Sequence, residues 1–328
     1  MYRAKIAGIG KYLPSKVLTN YDLEKMVDTS DEWIVTRTGI KERHIASQDE
    51  TTSILGARAA EEAIRRAGIK KEDIEMIIVA TFTPDMIMPS TACIIQDILK
   101  IPDTGAIDIE AACSGFLYAL SMANAYIVSG MYKNVLVIGA ETISRFTDWE
   151  DRSTCVLFGD GAGAVVITRS EESDKSEFIG FKLFGDGSYK DMLCVEAGGA
   201  LKPASIETVK NKQHYLKMNG NSTFKVAVRT MADMLEAILK EHNIKIEEVK
   251  YLIPHQANIR IISAVAERLN IPMEKVIVNI EKYANTSAAT IPIAMEEAIS
   301  DGRIRRGDLI AMVAFGGGFT SAASLMIY

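Results

Sequence analysis

Four cysteines stand in the chain, Cys93, Cys113, Cys155 and Cys194, and no two form a CxxC pair. Such wide spacing in a long chain argues against a disulfide framework and against a structural zinc site. The four histidines, His44, His214, His242 and His255, form no HExxH pair, so no metal site is expected. Basic excess is also lacking: the formal net charge is −6, which argues against a nucleic-acid surface. No apolar run is long enough to span a bilayer, and the opening "MYRAKIAGIGKYLPSK" has no long apolar core of a signal peptide. A cytoplasmic protein without a membrane partner is the expectation.

What is present reads as an α/β protein. "MIIVATF" (76–82), "GAIDIEAA" (105–112), "NVLVIGAE" (134–141) and "AGAVVIT" (162–168) are apolar runs expected to be buried strands. "SILGARAAEEAIRRAG" (53–68) carries helical spacing, and "RSEESDKSE" (169–177) reads as a solvated connection. Strands are expected again at 251–258, 276–287 and 308–318. Two matched units suggest a duplication: Gly130 lies 17 residues after Cys113, and Gly302 lies 17 residues after Asn285. The second helix is expected to start at Pro292, after a loop. Two stacked halves, 1–172 and 173–328, follow from this repeat.

Cys113 sits where a strand gives way to a helix whose apolar face is Phe116, Leu120, Ala123 and Ile127. A helix N-terminus offers unpaired N–H groups and partial positive charge, which favour a thiolate, the nucleophilic form. The small neighbours Ala111, Ala112, Ser114 and Gly115 leave room for a substrate. Cys93, Cys155 and Cys194 suit the ordinary role of a buried thiol. His255 also closes a strand and opens a helix, and Asn285 lies in a turn; capping and turn formation are the plain alternatives for these two. Three such groups at strand ends fit the rule that α/β sheets bind ligands beyond their carboxyl edges. The glycine cluster 158–168 runs into a strand and so lacks the phosphate-loop context; that at 314–328 would let backbone N–H groups approach a reacting carbonyl.

"DEWIVTRTGIKERHIA", "ACSGFLYAL", "LFGDGAGA", "PHQANIRI", "YANTSAATIP" and "AFGGGFT" occur in the order and spacing of the β-ketoacyl-acyl carrier protein synthase III family, which this chain resembles along essentially its whole length. The resemblance implies a thiolase-like five-layered αβαβα fold with duplicated halves, assembled as a homodimer. It implies a Cys113-His255-Asn285 triad, an oxyanion hole from Cys113 and Gly317, and no cofactor, coenzyme A being substrate and product. It implies that Trp33 and Arg152 flank the adenine of coenzyme A, Arg37 holds its phosphate, and Thr29, Gly220, Asn221, Phe224 and Asn258 line the pantetheine path. Met88, Phe158, Leu216, Met218 and Phe315 would form the acyl pocket. Gln256, Ala257, Asn258, Ile259 and Arg260, with Lys225 and Arg268, would meet an acidic acyl carrier protein.

The implied reaction is a decarboxylative condensation of acyl-CoA with malonyl-acyl carrier protein through an acyl-Cys113 intermediate, initiating fatty-acid synthesis. Asn285 and a ring N–H of His255 would grip the enolate oxygen, and Phe315 would keep the malonyl carboxylate in apolar surroundings. Met88 stands where some members carry phenylalanine, which opens the pocket to longer or branched primers. Glu267 replaces a residue that is often basic. The alternatives are a synthase of a secondary pathway making polyketides, quinolones or ketones, and a non-catalytic partner subunit, against which the presence of Cys113 argues.

Overall fold

The computed structural model describes residues 2–171 and 173–328, with the side chains of 221 and 222 left outside the description. Five strands build the first sheet: β1 (Arg3–Tyr12), β2 (Met76–Ala80), β3 (Gly105–Ile109), β4 (Asn134–Glu141) and β5 (Gly161–Ser170), in the order β1-β5-β4-β2-β3. β2 lies parallel to β3 and β4, while β5 runs antiparallel to β4 and β1. The second sheet holds β6 (Glu177–Gly185), β7 (Tyr251–Pro254), β8 (Leu309–Phe315) and β9 (Thr320–Ile327), ordered β7-β8-β9-β6. Here too a parallel pair, β7 with β8, is followed by antiparallel neighbours. The topology is therefore the same twice, with β6, β9, β8 and β7 in the places of β1, β5, β4 and β2.

Seven helices of eight residues or more are described: α1 (Asp31–Thr38), α2 (Thr52–Ala67), α3 (Thr91–Leu99), α4 (Gly115–Val128), α5 (Gly220–Glu241), α6 (Ile259–Arg268) and α7 (Thr290–Ser300). The alternation of side chains along each strand sends one set to each face of its sheet. Ile78 and Val165 of the first sheet, and Met312 and Met326 of the second, share one core with Phe116, Leu120 and Ile127 of α4 and Ile291 and Met295 of α7. Those two helices thus fill the space between the sheets. Ile77, Val79 and Leu136 face the other way, onto Leu55, Ala59 and Ala63 of α2 and Ile95 of α3. Val313, Ala323 and Leu325 likewise pack on Leu235 of α5 and Ile262 and Val265 of α6. The result is five layers, helix, sheet, helix, sheet, helix, as the resemblance implies.

Two expectations are corrected. The segment 276–287 is not a strand: Val276 makes a single parallel bridge to Leu252, and Ile280–Tyr283 is a helical turn. The apolar residues there are spaced for a helix, since Ile277, Ile280 and Ala284 are all buried. The chain also leaves the sheet because Asn285 N–H donates to Leu157 O at 3.0 Å and Gly159 N–H donates to Asn285 O at 3.1 Å. The second correction concerns α7, which begins at Thr290, with Pro292 inside its first turn, where the missing N–H has no intrahelical partner to lose.

Short 3-10 turns precede α4 (Ala112–Ser114) and α7 (Ser287–Ala289), and each opens on a residue with positive φ, Ala112 at 45° and Ser287 at 50°. Cys113 is therefore matched by Ala288 rather than by Asn285. The second turn lies directly on β4: a Cβ at Gly139 would come 2.4 Å from Ala288 O.

Candidate active site

β3 ends at Ile109, and three residues later the 3-10 turn presents Cys113 just ahead of α4. β7 ends at Pro254, so His255 follows it directly. Asn285 is held by its backbone bonds to the 157–159 segment. All three line one cavity of about 140 Å³, together with Phe158, Leu193, Phe224 and Phe315. The carboxyl ends of β3 and β7 supply two of the three, as open α/β sheets do.

Each side chain has a defined setting. Asn285 Oδ1 accepts from Ser287 N–H at 2.8 Å, which leaves its Nδ2 as a donor. His255 is buried, and its Nδ1 lies 2.7 Å from Thr290 Oγ1. Burial lowers the His255 pKa to about 3, so the ring is neutral. Burial likewise pushes the Cys113 thiol up to about 12, aided by the nearby Glu141 and Glu110 carboxylates and opposed by Ser287. Desolvation thus opposes the resting thiolate that the helix N-terminus favours. The nucleophile needs its proton removed as it attacks.

The last glycine cluster lies against the nucleophile. A Cβ on Gly316 would sit 2.7 Å from Cys113 N, so only glycine lets this strand end reach the backbone of the 3-10 turn. Gly317 lines a second cavity of about 380 Å³ that also reaches Cys113, along with Phe82, Leu193, Leu216 and Ser287. Phe158 and Leu193 border both cavities. Of the residues grouped as an acyl pocket, Leu216 belongs to the second cavity, and Met218 and Phe315 to the first. Met88 is 84% exposed and lines neither.

An open cleft of about 500 Å³ leads inward. Trp33, Arg37, Lys225 and Arg260 line it, and Gly220, Phe224 and Asn258 line both it and the triad cavity. Arg37 and Arg152 place their guanidinium groups 4.7 and 5.0 Å from the Trp33 ring centre. This cationic, aromatic mouth suits a flat heterocycle bearing phosphates. Thr29 Oγ1 is buried without a hydrogen-bond partner among the described residues. The Asn221 side chain lies outside the described residues.

Two carrier-protein candidates are corrected. Gln256 is 1% exposed, and its amide donates to Pro254 O at 2.7 Å and Ile277 O at 3.1 Å and accepts from Asn279 N–H at 3.0 Å. It ties β7 to the segment after it and presents nothing to a partner. Arg268 is ion-paired with Asp233, which cancels much of its charge. Arg260 is exposed, with its guanidinium 5.6 Å from the Phe224 ring, and Ile259 and Ala257 are half-buried beside it.

Sequence reading missed Glu141, Ser287 and Thr290. Glu141 is fully buried at the end of β4 and accepts from Thr81 Oγ1 at 3.0 Å, Thr83 Oγ1 at 2.6 Å and Thr83 N–H at 3.2 Å. Burial raises its pKa to about 7. A lone acid at a strand end carries no sequence signal of this. Among the described residues no group of three or more His, Cys, Asp or Glu is placed to hold a metal ion.

Family models and relatives point to one family. Residues 107–187 match the model described as 3-oxoacyl-[acyl-carrier-protein] synthase III, and residues 239–328 match that of its C-terminal part. A beta-ketoacyl-[acyl-carrier-protein] synthase III of Aquifex aeolicus is 55% identical, over 99% of both chains. One of Natranaerobius thermophilus is 51% identical, again over 99% of both. The solved structure of 3-oxoacyl-(acyl carrier protein) synthase III from Pseudomonas aeruginosa superposes with a TM-score of 0.92 at 36% identity, covering 99% of this chain and 98% of that one.

Proposed function

This chain belongs to the β-ketoacyl-acyl carrier protein synthase III family, and from that premise we propose that Cys113, His255 and Asn285 carry out its chemistry. The activity is that of an acyltransferase making the initiating condensation of fatty-acid synthesis. An acyl-CoA primer and malonyl-acyl carrier protein give β-ketoacyl-acyl carrier protein, CO₂ and coenzyme A. The observation that carries the assignment is the meeting of the three side chains in one small cavity at the end of a cationic cleft.

Acyl-CoA enters along Trp33, Arg37, Arg152, Phe224 and Asn258, and its thioester carbon meets the Cys113 sulfur. A C–S bond forms as the Cys113 sulfur gives up its proton, the C–S bond to coenzyme A breaks, and the leaving sulfur takes up a proton, so coenzyme A departs as its thiol. Backbone N–H groups of Cys113 and Gly317 face the carbonyl oxygen as it gains charge; one such donor is typically worth about 3 kcal/mol. Malonyl-acyl carrier protein then takes the same path. Loss of CO₂ supplies the carbanion without a base, and Asn285 Nδ2, an obligate donor, holds the enolate oxygen. The carbanion attacks the acyl carbon and releases the sulfur, which recovers a proton from solvent. Phe315 keeps the malonyl carboxylate poorly solvated, which favours its departure as neutral CO₂.

Coenzyme A serves as substrate and product, and no other group enters these steps. We place the division between halves at 172 and 173, which assigns the first sheet to one half and the second to the other. A homodimer is supported by β3, an edge strand with Ile107 exposed on it, and by the exposed Met86, Ile87 and Met88. Met88 then reaches the acyl pocket of a partner subunit. Among the described residues no helix is long and apolar enough to cross a membrane; the cytoplasm is the proposed location.

The test is a product assay that crosses primers of different length with two extenders, malonyl-acyl carrier protein and a second acyl-CoA. The reading expects β-ketoacyl-acyl carrier protein from malonyl-acyl carrier protein alone. Ketones formed from two acyl-CoA molecules would overturn it and favour a secondary pathway.

A further inference from the structure

Two cavities meet at Cys113, and they are not equivalent. The first shares Gly220, Phe224 and Asn258 with the cationic cleft, so it receives the arm of an arriving thioester. Among the described residues the second shares none with that cleft. Cys113, Phe158 and Leu193 line both cavities, which puts their junction at the nucleophile. An acyl group passed to Cys113 while the arm still fills the first cavity therefore extends into the second. Phe82, Val195 and Leu216 line the second cavity and not the first, so they lie beyond the junction, and Phe82 is the one aromatic ring of these three.

The Phe82 ring has little room to yield. Its backbone N–H donates to the buried Glu141 carboxylate at 3.3 Å, and Thr81 Oγ1, Thr83 N–H and Thr83 Oγ1 donate to the same group at 3.0, 3.2 and 2.6 Å. Thr83 O accepts from Thr52 Oγ1 at 2.6 Å, and Asp85 accepts from Ser53 N–H at 2.9 Å, which ties the segment to the start of α2. The ring itself meets Phe146 edge-on, with centres 6.3 Å apart, and packs in one apolar cluster with Ile143, Phe158 and Leu216.

We propose that Phe82 is a specificity-determining residue for the primer: its pinned ring walls the second cavity and sets the longest acyl chain that Cys113 accepts. The proposal rests on the catalytic reading of Cys113 given above. It places a length limit within a single chain, since Met88 is exposed and lines neither cavity of its own chain. Longer primers that a methionine at 88 would admit are then stopped by Phe82. In a walled apolar pocket one methylene too many costs about 10- to 200-fold in selection. Phe146 acts at one remove: it lines neither cavity and supports the ring that does.

The experiment follows single-turnover acylation by intact mass, with acetyl-, butyryl-, hexanoyl- and octanoyl-CoA as primers. It compares the wild type with Phe82→Ala, Phe82→Leu, Phe146→Ala and Met88→Ala. The quantity read is the ratio of the octanoyl rate to the butyryl rate. Phe82→Ala is expected to raise this ratio at least about 10-fold, the scale of one relieved methylene misfit. Phe82→Leu should fall between alanine and wild type. Phe146→Ala should raise the ratio about threefold, because the ring it frees can then give way. Thermal unfolding shows that each variant folds, and the milder Phe82→Leu decides the matter should the alanine variant fail to fold. A ratio unchanged in both Phe82 variants, a rise confined to Met88→Ala, or a wild type that takes octanoyl as fast as butyryl would each overturn the proposal. Failure of the wild type to take any acyl group on Cys113 would instead overturn the catalytic reading.

Discussion

The Ser287 N–H donates to Asn285 Oδ1 at 2.8 Å, and this one bond fixes which end of the amide faces the cavity. The side-chain NH₂ is left as a donor for an incoming oxygen in the cavity that Asn285 lines.

Replacing Asn285 with alanine should separate the half-reactions. Decarboxylation of malonyl-acyl carrier protein is expected to fall about 10²- to 10³-fold, the usual cost of losing one such donor. Acylation of Cys113 by acyl-CoA should stay within a few-fold of wild type. Parallel assays of both steps check this, and a variant that cannot be acylated contradicts the division of labour.

Glu141 makes stability depend on pH. Its folded pKa of about 7 lies above the ordinary glutamate value of 4.5, so between these values the folded chain holds a proton that the unfolded chain has lost. Stability must then fall as pH rises through that window. Glu141→Gln removes the titration. It should be more stable than wild type at pH 8, by on the order of 3 kcal/mol, with the gap closing toward pH 4.5. Denaturant unfolding at pH 5 and 8 measures it, and equal stability of the two proteins at pH 8 would refute it.

How much of this was legible in the sequence depends on how local each feature is. Strand ends and the helix after Cys113 are written in short-range periodicity, so the placement of Cys113 and His255 came from the residues alone. The 276–287 segment failed because its apolar spacing suits a helical turn as well as a strand. The helix N-terminus that favours a Cys113 thiolate is visible in sequence, but the burial that opposes it is not. Gln256 sat inside a recognisable motif, yet its three hydrogen bonds are with backbone groups near it in space. Thr290 and Glu141 matter only through what the fold brings beside them. The coenzyme A and carrier-protein residues came from family resemblance, and periodicity offered no sign of them.

Gly316→Ala should damage the site from behind. Its Cβ would fall 2.7 Å from Cys113 N, a distance at which backbone must move. Acylation is expected to drop at least about 10-fold, since an oxyanion donor would be displaced. Alanine at Gly187, where a Cβ meets nothing within 4 Å, is the control and should be silent. A Gly316→Ala enzyme with normal acylation would show that the close approach is dispensable.

Arg260 and Lys225 should matter more than Arg268 for the carrier protein. Arg268 is already paired with Asp233, whereas Arg260 and Lys225 line the mouth of the cleft. Alanine at either of the latter is expected to raise KM for malonyl-acyl carrier protein about fivefold or more, with an effect that shrinks in high salt. Arg268→Ala should change it less than about twofold. Steady-state kinetics at two ionic strengths decide the ranking, and a dominant Arg268 would reverse it.

The most direct measurement is intact mass of the purified protein after mixing with acyl-CoA alone, followed by peptide mapping. One acyl group per chain, carried by Cys113 and absent from Cys113→Ala, is the predicted result. An unmodified wild-type chain, or an acyl group on Cys93, Cys155 or Cys194, would contradict the account.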